Sequence, residues 1–141
     1  MNIFRDIVDS TVELVARWQA VGFTHGVLNT DNMSIHGITI DYGPYAFMTY
    51  YDPNFVSNAS DHEGRYSFAK QPSVCKWNLE RLLESFVLLF PHTKRQQTEV
   101  LATSYPLAVL QCMMYAPEEV GSSRYAQGIL ISWEPRRCQS C

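Results

Sequence analysis

The stretch Met33-Ser34-Ile35-His36-Gly37-Ile38-Thr39-Ile40 leaves the chain few ways to run. Two short β-type triplets are separated by His36-Gly37, and Gly supplies the positive φ that a tight hairpin turn needs. The spacing predicts a two-residue hairpin in which Ile35 faces Ile38, Ser34 faces Thr39, Met33 faces Ile40 and Asn32 faces Asp41. Side chains alternate across such a ribbon, so Met33, Ile35, Ile38 and Ile40 would share an apolar face, opposite Asn32, Ser34, Thr39 and Asp41. Opposed residues lie about 4.5–5.5 Å apart at Cα, close enough for both side chains to reach one ion. An amide oxygen and a carboxylate make a hard-oxygen pair, suited to Mg²⁺ that keeps its other positions for water and phosphate. Asp31 adds a second carboxylate at the mouth of the same site. Asp and Asn also flank hairpins as simple turn formers, so the pair alone does not separate a structural role from a chemical one.

On either side of this stretch the pattern is helical. Ile3, Ile7, Leu14 and Trp18 recur at helical spacing, with Phe4, Val8 and Val15 beside them and Gly22 as a stop, which predicts an amphipathic helix over residues 3–21. A second helix is expected from Pro72 or Ser73 to just before Pro91, with Val74, Trp77, Leu82, Leu83 and Phe86 inward and Lys76, Glu80, Arg81 and Glu84 outward. Between them, Tyr45, Phe47, Tyr50 and Tyr51 read as core aromatics. Residues 52–66 read as a polar, turn-rich loop in which Arg65 could pair with a carboxylate; they lack the Gly and distal Glu of a calcium loop. Residues 91–141 carry four prolines, an apolar run at Leu107–Met114 and one candidate strand at Ile129–Trp133, with no functional motif.

With 141 residues, 46% hydrophobic and 18% charged, the chain is expected to be one modest globular unit and not a disordered one. A net charge of −3 with scattered basic residues argues against a nucleic-acid partner. The absence of a long apolar run argues against a membrane one. Four cysteines are too few and too scattered for a disulfide scaffold, and Cys138-Gln139-Ser140-Cys141, a lone pair at the chain end, is weak grounds for a redox or metal motif. Asn32-Met33-Ser34 and Asn58-Ala59-Ser60 match the glycosylation sequon, which matters only in a secreted chain.

The string His25-Gly26-Val27-Leu28-Asn29-Thr30-Asp31-Asn32, followed by Thr39-Ile40-Asp41-Tyr42-Gly43-Pro44, resembles the catalytic segment of protein-kinase-like enzymes. Those carry a His-x-Asp loop, a metal-binding Asn, a short hairpin and then Asp-Phe-Gly. Val27 stands where the usual catalytic Asp would be, and Asp31 is the nearest carboxylate able to replace it. In this form the string looks like the selenoprotein O family of protein adenylyltransferases. The likeness continues through Tyr51-Asp52-Pro53, Asn58-Ala59-Ser60-Asp61, Gly64-Arg65-Tyr66, Gln71-Pro72 and Trp77-Asn78-Leu79, and covers roughly residues 3–86.

The resemblance implies an α+β fold: a truncated C-lobe segment of a protein-kinase-like fold, in the order helix, catalytic loop, β-hairpin, helix. Residues 1–86 would form that segment, and residues 87–141 a divergent tail with no assigned domain. It implies transfer of AMP from ATP, bound in an orientation flipped relative to kinases, to Ser, Thr or Tyr hydroxyls of proteins. Asp31 would accept the hydroxyl proton, Asn32 and Asp41 would hold Mg²⁺ against the phosphates, and His25 would brace the loop. It also implies a mitochondrial location, although the chain shows no transit segment and would otherwise be cytoplasmic. The N-lobe parts of such a site, including its phosphate-gripping Lys, have no counterpart before Asn32, so this chain is expected to be inactive alone. The alternatives are a kinase-like phosphotransferase, or a noncatalytic pseudokinase-like fragment that binds nucleotide or a partner.

Overall fold

The computed structural model describes residues 3–90 and 94–115, the backbone alone at Ser104 and residues 106–115. It is an α+β arrangement of three helices and a two-stranded sheet: α1 (Ile3–Val21), β1 (Phe23–Thr24), β2 (Ala46–Phe47), α2 (Gln71–Leu89) and α3 (Lys94–Tyr115). Single 3-10 turns occupy Thr30–Asn32 and Phe68–Lys70. The candidate strand at Ile129–Trp133, along with Cys138 and Cys141, lies outside the described residues.

Helix α1 spans the predicted residues and stops where Gly22 takes a left-handed φ of 71°. It buries more than one stripe: Phe4, Val8, Val12 and Val15 lie in the core with Thr11, Ala16 and Gln19 also covered, whereas Ile3 is exposed. It packs against both α2 and α3, so its two flanks as well as its centre are shielded. Leu28 closes the core from the loop after β1, Cys75 and Leu79 from α2, and Leu101 and Tyr105 from α3. The tail that carried no motif thus supplies one side of the core. The Tyr105 hydroxyl donates to the Pro72 carbonyl (2.7 Å), tying α3 to the start of α2.

Three expectations are corrected. First, the predicted hairpin has another register, with Met33 opposite Thr39 instead of Ile40. The loop therefore takes in Ile35, His36 and Gly37, with the Gly37 N–H donating to Ser34 O and Gly37 left-handed at φ 63°. That is the familiar three-residue solution, a turn followed by a left-handed residue. Gly37 lies directly against α1, where a Cβ would come within 2.8 Å of Ser10, and Trp18 Nε1 donates to Thr39 Oγ1 (2.9 Å). The loop is thus seated on α1, and Ile35 and Ile38 are left exposed while Met33 packs inward.

Second, Trp77 faces outward and Cys75, Asn78 and Leu79 face in. The Trp77 ring is flanked by the guanidinium groups of Arg65 and Arg81, each 5.2 Å from its centroid. Arg65 is thus a stacking residue and not the expected ion-pair partner of the 52–66 carboxylates. Asp61 instead accepts from the Arg65 and Tyr66 backbone N–H groups. Third, Tyr45, Phe47 and Tyr50 are exposed, not core, and only Tyr51 is half-buried, edge-on to Phe68. Tyr45 and Phe47 instead pack their rings on one another and on Phe23, the cross-strand partner of Phe47.

Candidate active site

The segment from Phe23 to Asn32 runs from β1 through a loop with almost no regular backbone pairing, so its polar groups need partners elsewhere. Side chains supply them. Gln71, fully buried at the start of α2, accepts from the His25 N–H (2.9 Å) through Oε1 and donates to Phe23 O (2.9 Å) through Nε2. Asn58 Nδ2 donates to Gly26 O, Asn32 Nδ2 to Val27 O and Asn78 Nδ2 to Leu28 O. Three amide side chains from other segments and one from the loop itself therefore pin four nearly consecutive carbonyls.

His25 is buried and acts as the brace the sequence suggested. Its Nε2 lies 2.8 Å from Ile40 O, which can only accept, so Nε2 carries the proton. Nδ1 is then the acceptor for the Val27 N–H (3.4 Å). One ring links the start of the loop to the far arm of the hairpin. Gly26 is required next to it: its φ is 85°, and a Cβ there would stand 2.5 Å from Ser57 Oγ and 2.9 Å from Pro44 O.

Asp31 and Asn32 sit in the 3-10 turn that follows, closed by the Asn32 N–H donating to Asn29 O (3.2 Å). Asn29 and Thr30 lead into this turn, and Leu28 just before them is fully buried. Asp31 is exposed and Asn32 half-buried. Because the Asn32 amide nitrogen is committed to Val27 O, its oxygen is the group left to meet a cation. Asp41 is exposed on the other arm. It is the one non-glycine residue with positive φ (54°) among those described, and the Gly43 N–H donates back to its carbonyl (2.8 Å). A left-handed Asp is tolerated better than most side chains but still costs conformational energy.

The Met33–Thr39 bridge brings Asn32 and Asp41 to the same open end of the hairpin, without setting them directly opposite each other. The candidate donor pair, the Asn32 amide oxygen and the Asp41 carboxylate, is of the hard-oxygen type that Mg²⁺ takes. Among the described residues no three His, Cys, Asp or Glu side chains converge as a self-sufficient metal cage. A cavity of about 300 Å³ is bordered by Thr30, Met33, Ser34, Asn78 and Leu79, and Asp31, Asn32 and Asp41 are not part of its lining.

The residues that reasoning from sequence missed are Gln71, Asn58 and Asn78. A signal for two of them was present. Gln71, Val74, Cys75, Asn78, Leu79 and Leu82 follow the i, i+3, i+4, i+7 pattern of one helix face, with two amides embedded in the apolar stripe.

The family model described as Protein adenylyltransferase SelO matches residues 1–118, well past the motif-bearing part of the chain. "Protein adenylyltransferase SelO-1, mitochondrial" of Danio rerio is 54% identical over 132 residues, covering 94% of this chain and 18% of the relative. "Protein adenylyltransferase SelO, mitochondrial" of Mus musculus is 61% identical over 82 residues, 58% of this chain and 12% of the relative. "Protein nucleotidyltransferase YdiU" of Pectobacterium carotovorum is likewise 61% identical over 82 residues, covering 17% of its length. The chain thus spans less than a fifth of the length of these curated relatives.

Proposed function

The chain belongs to the SelO family of protein adenylyltransferases, and on that premise we propose that it carries the metal-holding and hydroxyl-orienting part of a nucleotidyl-transfer site. In the complete site AMP passes from ATP to a Ser, Thr or Tyr hydroxyl of a protein. A buried helix, a pinned loop and a hairpin followed by Asp-Tyr-Gly support reading the segment as the C-lobe of a kinase-like fold. The relatives named mitochondrial make that the proposed location.

Asn32 Oδ1 and the Asp41 carboxylate would hold Mg²⁺, whose contribution is to offset charge on the phosphate oxygens and on the departing pyrophosphate. Asp31, exposed in its 3-10 turn, would orient the attacking hydroxyl and take its proton as the new P–O bond forms. The loop's pinning by Gln71, Asn58 and Asn78 holds these side chains where substrate arrives, so little reorganisation accompanies the reaction. No helix among the described residues is long and apolar enough to cross a membrane.

The observation that supports the reading is the conjunction of the family match with a loop, pinned by side-chain amides, that leads into the turn bearing Asp31 and Asn32. Its test is thermal unfolding of the chain with and without Mg-ATP. Ligand that binds only the folded state raises the melting temperature, and Asp41→Asn, which keeps a side chain tolerant of positive φ, should abolish the rise. ATP labelled on its α- or γ-phosphate then distinguishes the chemistry in a full-length relative. Label transferred from the α-position alone supports adenylylation, and from the γ-position alone a kinase.

A further inference from the structure

Beside Asp41 the chain builds an aromatic surface that the core does not use. Phe23, buried in β1, is covered by Tyr45, whose ring lies nearly parallel to it at 27° and 5.9 Å between centroids. One face of Tyr45 is thereby occupied, yet the residue remains 47% exposed. The Tyr42 and Phe47 rings are almost perpendicular to it, at 84° and 90°, with centroids 5.4 and 6.4 Å away. Both are more than half exposed. The turn closed by Gly43 and Asp41 folds Tyr42 back toward Tyr45, so the rings sit next to the candidate metal carboxylate.

We propose that Tyr45, flanked by Tyr42 and Phe47, is the platform on which the base of the bound nucleotide stacks. The inference rests on the nucleotide reading of Asn32 and Asp41 and deepens it. Those two residues would hold phosphates through a metal and cannot by themselves tell a nucleotide from any other polyphosphate. A planar base needs a planar apolar face, and aromatic side chains meet it whatever its hydrogen-bonding pattern. The exposed part of the Tyr45 ring, 47% of the residue, provides such a surface one short turn from Asp41, and the perpendicular rings beside it fix its orientation.

The experiment measures binding of Mg-ATP and of Mg-tripolyphosphate, which has no base, to the 141-residue chain and to Tyr45→Leu and Tyr45→Phe. Leu keeps apolar cover over Phe23 without a π-face, and Phe keeps the face. Tyr45→Leu is expected to weaken Mg-ATP about tenfold or more, the loss of one base–aromatic stack. It should leave Mg-tripolyphosphate unchanged, and Tyr45→Phe should bind both like the parent chain. Equal weakening of both ligands by Tyr45→Leu, or no weakening of Mg-ATP, overturns the platform while leaving the metal site standing. If the parent chain binds neither ligand, the nucleotide reading falls and takes the platform with it.

Discussion

Gln71 shows at the scale of one residue how the candidate site is held. Its side chain is fully buried and serves a backbone donor and a backbone acceptor on the same strand-to-loop junction. Leucine at this position would fill the space but leave the His25 N–H and Phe23 C=O unpaired, and each buried orphan costs about 1–3 kcal/mol. Gln71→Leu is therefore expected to lower the unfolding free energy by about 2–6 kcal/mol in urea titration; a loss below the measurement error would mean the junction is solvated. The candidate residues Asp31, Asn32 and Asp41, and the turn and hairpin that carry them, could be picked out in the sequence because their spacing is local. Asn58 could not, because its partner lies 32 positions away and no local pattern announces a backbone group in need.

At the scale of elements, α1 and α2 could be read from periodicity, but the inward face of α2 could not be read from hydrophobicity alone. A ranking by apolarity turns Trp77 inward, whereas the helix turns Cys75, Asn78 and Leu79 inward and leaves the indole to stack between two arginines. Substitution separates the two faces. Leu79→Ala empties a fully packed position and is expected to cost about 2–5 kcal/mol. Trp77→Ala loses mainly surface cation–π contacts, of about 0.5–1 kcal/mol each. Denaturant midpoints that ranked Trp77→Ala as the more damaging change would place the ring in the core after all. The hairpin failed in register for a related reason. Its turn residues suit either a two- or a three-residue loop, and the choice falls to Ser10 and Trp18 on α1, far away in sequence.

Over the whole molecule, α3 is what turns a motif-bearing segment into a closed core, and its place there was invisible in a tail without motifs. Where it meets α2, burial pushes the Cys75 thiol from the usual 9.0 up to about 12. Burial, and then the nearby Cys75, likewise raises the Tyr105 phenol above its usual value. Between 9.0 and about 12 the unfolded thiol has lost its proton and the native one has not. The native state then binds more protons, and stability falls as pH rises. The contribution is complete below pH 9.0 and is lost through that window. The melting temperature is expected to decline above pH 9.0, less steeply in Cys75→Ala; parallel slopes would show that the thiol does not sense the fold. The amide ties of the loop have a last consequence. Because the carbonyls of Phe23, Gly26 and Leu28 are claimed by Gln71, Asn58 and Asn78, the loop's shape is stored in segments other than its own. It is not a portable cassette. Grafted into another scaffold as a contiguous peptide it would keep its letters and lose its conformation, unless the three amides were transplanted with it.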